Sequence, residues 1–187
     1  NENSIGEICL RKKINIIFNN FYPSKLLNNL SYEDYRKFEK LSLNNLTLIL
    51  RKISPKKVNK IIYTSSAAVY RLAENINDQK KDEFNRTLYS SFKLASEKII
   101  LNYCTKNNVN YNILRLFNSF GDPNDQFSFI EKIIKSKKNK QKISLINDGS
   151  SIRDFIHVND IGNIFNIFIK KNANNGIYDI GTGKGFL

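Results

Sequence analysis

At 187 residues with 41% apolar content, the chain is long enough for one well-buried core plus a small additional lobe. No apolar run approaches the roughly 18 residues that span a bilayer, and no secretory signal is visible, so a cytoplasmic protein with no membrane partner is expected. The net charge of +13 invites a polyanion partner, but the excess is mostly lysine accompanied by abundant asparagine and isoleucine, the mixture an AT-rich genome yields, and no nucleic-acid partner is expected.

In chain order, Ile14-Asn15-Ile16-Ile17-Phe18 is short, apolar and β-branched and predicts a buried strand. After a polar loop with Pro23, Ser31 is placed to cap a helix, and residues 41–53 continue as an amphipathic helix that Ser54-Pro55 stops. Residues 58–64 predict the next strand, ending in Ser65-Ser66, and a polar loop leads to a helix over about 87–106. Residues 111–117 predict a strand, and the Gly-, Pro-, Asn- and Asp-rich stretch 118–125 a turn region. A helix over 127–138, a short strand over 143–146 and a turn at Asp148-Gly149 follow. Asp160 is the expected N-cap of a helix over 161–171, with Ile161, Ile164, Phe165, Phe168 and Ile169 as one apolar stripe. Residues 177–180 predict the final strand, running into the turn Gly181-Thr182-Gly183-Lys184-Gly185.

Strands and helices that alternate with few hairpin signals predict an α/β fold with a doubly wound parallel sheet, whose ligands bind at the carboxyl ends of strands. Ser66 and Asn118 both fall just past such an end. Cys9 and Cys104 stand in no metal-ligand spacing, so reduced, buried thiols and no metal site are expected. Lys135, Lys137, Lys138, Lys140 and Lys142 form the densest basic cluster, read as the solvated tail of a helix. The absence of Met from the whole sequence reads as a partial reading frame.

Chemistry concentrates in Tyr89-Ser90-Ser91-Phe92-Lys93, which lies 23 residues after Ser66. Positions i and i+4 share a helix face, so a phenol and an ammonium converge there. A free phenol titrates near ~10, and a neighbouring cation is expected to favour its ionised form, making Tyr89 a better base. A serine hydroxyl nearby orients whatever hydroxyl the phenol deprotonates.

Five motifs occur in one order: Thr64-Ser65-Ser66-Ala67-Ala68-Val69-Tyr70, Tyr89-x-x-x-Lys93, Arg115-Leu116-Phe117-Asn118-Ser119-Phe120-Gly121, Arg153 to Asp160, and Tyr178 to Gly183. Together they resemble the extended short-chain dehydrogenase/reductase family, in its nucleotide-sugar epimerase/dehydratase branch, over roughly 58–187. The resemblance implies a partial Rossmann-like NAD(P)-binding domain over 1–120 and part of a small C-terminal substrate lobe over 121–187, interleaved with it. It implies Tyr89 as acid/base, Lys93 as the residue bonding the nicotinamide ribose and Ser66 as the third catalytic member. It further implies Thr64, Ser65 and Phe117 as cofactor neighbours, Asn118 and Arg153 as substrate contacts, NAD (or NADP) as cofactor, a nucleotide sugar as substrate and a homodimer as the assembly.

The implied reaction is that of an epimerase of the UDP-glucose 4-epimerase type, passing through a keto-sugar; a one-way reductase or dehydrogenase is the alternative. Related dehydratases carry an acidic pair where this chain has Ala67-Ala68, and two alanines transfer no proton, which disfavours dehydration. A non-catalytic Rossmann-like protein that binds RNA through its basic surface is the rival from another class. The family's glycine-rich phosphate loop is not found before Ile14, as expected of a partial frame. Asn19-Asn20, Arg71 and Asp122 also depart from the family pattern. Four residues have plainer readings beside the functional ones: Arg153 as an ion pair with Asp154, Asn118 as a turn former, the lone His157 as structural, and Ser65 as a structural hydroxyl.

Overall fold

The computed structural model describes residues 13–19, 31–73, 81–122, 124–125, 128–143, 151–171 and 173–186. They fall into two compact units: residues 1–115 with 172–178, and residues 116–171 with 179–187.

In the first unit, β1 (Ile14–Phe18) lies parallel to β2 (Val58–Ser66), with Phe18 opposite Tyr63 and an irregularity between Ile14 and Asn15. The sheet order is β1-β2-β3-β6, with β3 at Asn110–Leu116 and β6 at Gly176–Ile180. Seven of the nine β2 residues are buried, the pattern of a central strand covered on both faces. One face of β2 carries Ile61 and Tyr63 into a core with Phe18, Leu46, Leu50, Ile53, Ile100, Cys104 and Ile113. The Cys104 thiol is free and buried, and burial pushes it up to about 12, which makes it inert; Cys9 lies outside the described residues.

Ser31 caps α1 (Tyr32–Glu39) as expected, in a reciprocal box: the Asp34 N–H donates to Ser31 Oγ (3.3 Å) and the Ser31 N–H to Asp34 Oδ2 (3.0 Å). The helix expected over 41–53 begins differently. Residues Lys40–Asn44 form a π-helical turn, in which the buried Ser42 hydroxyl donates back to the Phe38 carbonyl, before α2 (Asn45–Lys52) resumes. Ile53 is extended and Pro55 opens a 3-10 turn, so the chain stops where Ser54-Pro55 predicts. The helix α3 runs over Lys81–Asn107, starting earlier than expected, and ends with Asn108 at φ 55° and the Val109 N–H on the Cys104 carbonyl.

In the second unit the region expected to turn at residue 118 first makes a strand. There β4 (Asn118–Phe120) pairs in parallel with β5 (Phe155–His157), and the chain turns only at Gly121, φ 107°. The motif's asparagine and phenylalanine alternate with Ser119 in extended backbone, and a three-residue strand has too little periodicity to read. Ser128 caps α4 (Phe129–Lys138) through the Glu131 N–H. The expected strand over 143–146 and turn at Asp148-Gly149 fall almost wholly on 144–150, outside the described residues.

The helix α5 covers Val158–Lys170, and its N-cap is His157, not Asp160. The His157 Nδ1 accepts from the Asn159 N–H at 3.2 Å, which leaves Asp160 in the first turn, where its charge still favours the helix N-terminus. The predicted stripe holds: Phe168 is buried and Ile161, Ile164, Phe165 and Ile169 are half-buried, while the residues at 162, 163, 166 and 167 are exposed. Among the described residues no helix is long and apolar enough to cross a membrane.

Candidate active site

Hydrogen bonding through the sheet fixes where β2 ends, and there Ser66 meets Tyr89 of α3 and the Thr64 carbonyl meets Lys93. The Ser66 and Tyr89 side chains are hydrogen-bonded to each other, and Ser66 Oγ also accepts from the Ala68 N–H at 3.2 Å. Lys93, one helical turn after Tyr89, is 3% exposed and donates to the Thr64 carbonyl at 2.7 Å. Its Nζ lies 5.2 Å from the Tyr63 ring centre and 5.9 Å from that of Tyr89, over both faces.

This geometry corrects one expectation about the phenol. Burial pushes Tyr89 above its ordinary value, and the Ser66 hydrogen bond, which pulls it down, is the smaller influence. The influences on the phenol are burial and Ser66, while the ammonium lies over the ring at 5.9 Å from its centre. Lys93 itself is pulled down to about 8 by burial, with the Glu97 carboxylate pulling the other way.

Thr64 and Ser65 close β2. The Thr64 hydroxyl is buried with no hydrogen-bond partner, and Ser65 donates to Glu97. Reading the sequence missed Glu97, although it stands four residues past Lys93 and eight past Tyr89 on one helix face. It also missed Arg115, the first residue of a quoted motif. Arg115 makes a forked pair with Glu97, Nε at 3.0 Å and Nη2 at 2.7 Å, and stacks on the Tyr70 ring at 4.7 Å.

Phe117, Asn118 and Arg153 belong to the second unit. The Phe117 N–H donates to the Ile180 carbonyl at 3.0 Å. Asn118 gives both its backbone N–H (3.1 Å) and its side-chain amide (3.0 Å) to the Asp154 carbonyl, so it works as a strand residue rather than a turn former. Arg153 pairs through its backbone with Phe186, and its guanidinium donates to the Ile152 carbonyl at 2.9 Å. Asp154 spends its carboxylate elsewhere, accepting from the Thr182 N–H (3.0 Å), the Thr182 hydroxyl (2.7 Å) and the Gly183 N–H (2.9 Å). The glycine-rich segment is thus a turn filled by the protein's own carboxylate. His157 is structural, as an N-cap and as an edge-on partner of Phe120 at 5.1 Å.

A parallel sheet flanked by helices, with a tyrosine and a lysine one turn apart facing the serine that ends a central strand, defines a Rossmann-like fold of the extended short-chain dehydrogenase/reductase class. The model of the NAD dependent epimerase/dehydratase family matches residues 8–181. The chain belongs to that family.

It is 31% identical over 159 residues to a UDP-glucose 4-epimerase of Halalkalibacterium halodurans, covering 74% of this chain and 47% of that protein. It is 24% identical over 217 aligned positions to a dTDP-D-glucose 4,6-dehydratase of Dictyostelium discoideum, covering 97% of this chain and 49% of that protein. The chain therefore spans about half the length of the curated relatives it matches. A solved UDP-glucose 4-epimerase of Thermus thermophilus, in complex with NAD, shares the fold with a TM-score of 0.72 at 16% identity, covering all of this chain and 62% of that one.

Proposed function

We propose that this chain carries the catalytic centre of an NAD-dependent nucleotide-sugar epimerase of the UDP-glucose 4-epimerase type, with NADP as the alternative cofactor. The observation that carries the reading is the Ser66–Tyr89 hydrogen bond with the buried Lys93 ammonium one turn further along α3. Tyr89 takes the proton from a sugar hydroxyl, Ser66 holds that hydroxyl in line, and the Lys93 charge offsets the negative charge that develops on the phenol.

The donor set at the end of β2 suits the ribose and nicotinamide end of a dinucleotide. Lys93 and Tyr89 offer N–H and O–H groups, and the partnerless, buried Thr64 hydroxyl is satisfied by a polar ligand there. Bound NAD supplies the hydride acceptor and donor that epimerisation needs. Ser65 belongs to the same strand end. Phe117 is proposed as a further cofactor neighbour, and Asn118 and Arg153 as nucleotide-sugar contacts, on the strength of their motifs. The first unit is proposed as the cofactor-binding part and the second as the substrate-binding part of a cytoplasmic homodimer.

Ala67 and Ala68 support epimerisation over dehydration, because neither side chain transfers a proton. The test is turnover of UDP-glucose by the unmodified protein and by Tyr89→Phe. Loss of at least about a hundredfold in kcat is expected from deleting the acid/base hydroxyl. Equal turnover in the two proteins overturns the assignment.

A further inference from the structure

Outside the Ser66, Tyr89 and Lys93 group, the described residues of the first unit bury one ionic network. Glu97, 2% exposed, sits at its centre on α3. It accepts from Ser65 on β2 and from both prongs of the Arg115 guanidinium on β3, and Arg115 in turn covers the Tyr70 ring in the 3-10 turn that follows β2.

Burying a carboxylate and a guanidinium costs more free energy than an apolar pair of the same volume in many settings, so stability alone is weak reason for such a network. What it does supply is direction. A forked guanidinium and a serine hydroxyl on two different strands leave the carboxylate one position to occupy, and that fixes the rotation of α3 about its axis. The position lies one turn beyond Lys93 and two beyond Tyr89 on the same face. Ser65, the strand-side anchor, is the residue immediately before Ser66.

We propose that Glu97 is a positioning residue: clamped to Ser65 and Arg115, it sets the face of α3 from which Tyr89 and Lys93 reach the end of β2, and its carboxylate, one helical turn further along α3, is the negative charge that acts on the Lys93 ammonium. This inference rests on the catalytic reading of Tyr89 and Lys93 for its meaning, but its test does not depend on turnover. Lys93 is faced by the Tyr63 ring and the Thr64 carbonyl from β2, by Tyr89 and Glu97 from its own helix, and, beyond Glu97, by Arg115 from β3. Glu97 is the negative group in that set, and it opposes the effect of burial on Lys93.

The experiment is an NMR titration of the lysine Cε resonances in the protein, with Lys93 assigned by its disappearance in Lys93→Met. Lys93 is expected to titrate at about 8 in the unmodified protein and clearly lower in Glu97→Gln, which keeps the side-chain shape and removes the charge. Because Glu97→Gln strands the Arg115 charge, Glu97→Gln with Arg115→Gln is titrated beside it; it removes that stranded cation and is expected to show a smaller downward move than Glu97→Gln alone. An unchanged Lys93 midpoint in folded Glu97→Gln overturns the proposal, because the Glu97 charge then does not act on Lys93. Turnover is measured on the same proteins. No turnover by the unmodified protein sinks the catalytic reading and leaves the titration to decide the role of Glu97.

Discussion

Lys93 is the residue whose chemistry depends most on its surroundings. Burial holds it at about 8 against an ordinary 10.5, so between those values the unfolded chain binds the proton that the folded protein has lost. Stability therefore rises with pH from about 8 upward, and below 8 the buried ammonium is a standing cost. Cys104 acts in the opposite sense. Its folded thiol keeps a proton up to about 12 that the unfolded one releases from about 9, so it lowers stability as pH rises past 9. The Lys93 contribution stands clear between about pH 8 and 9. Urea unfolding is expected to show stability gaining up to about 1 kcal/mol across that window, bounded by the 1.4 kcal/mol per unit that one proton allows. Lys93→Met is expected to be flat there; a rise as steep in the variant refutes the assignment. The i to i+4 spacing of Tyr89 and Lys93 was visible in the sequence, but the sign of the change on the phenol was not, because it depends on burial.

At the level of elements, the ends of β4 and β5 meet closely at Gly121 and His157. Gly121 stands at φ 107°, and a Cβ there meets the His157 Nε2 at 2.4 Å. His157 is itself held by capping α5 and by Phe120, so it has little room to give. Gly121→Ala is expected to cost about 1–3 kcal/mol from backbone strain alone, with the ring clash added. Gly183→Ala is the contrast: φ is 74°, but a Cβ meets nothing within 4 Å, so only the backbone term applies. Thermal unfolding followed through resonances of α5 distinguishes them, and equal losses refute the role given to His157. The strong elements were legible because each carries a period or a stop: the β2 run, the Ser31 cap, Pro55, and the α5 stripe. The π-turn at Lys40–Asn44 and the His157 cap were not, since each depends on where one side chain finds a partner.

Over the whole molecule, the charge of +13 is a long-range property and the lysine cluster its densest expression. Lys137, Lys138, Lys140 and Lys142 are exposed, and basic residues in the last turn of α4 suit its negative C-terminal end. Lys135 turns back to the Asp125 carbonyl at 2.8 Å. An excess of like charge destabilises a compact chain, and salt relieves it. The thermal midpoint is accordingly expected to rise when sodium chloride is taken from about 10 mM to about 200 mM, which shortens the screening length from roughly 30 Å to less than 10 Å. A falling midpoint instead indicates that attractive pairs such as Glu33–Arg36 outweigh the repulsion.

The alternation of strands and helices, the α/β class, the family and the residues of the Tyr89 helix face are all legible in the chain's residues, because periodicity, caps and motif order are local. Only the three-dimensional arrangement shows that Ser65, Arg115 and Tyr70 gather about the buried Glu97, that Asp154 fills the glycine-rich turn rather than pairing with Arg153, and that Tyr89 is raised rather than lowered. The physical reason is common to all three. Hydrogen bonding and desolvation depend on which groups meet in space and how much water is left around them, and no spacing along the chain encodes either.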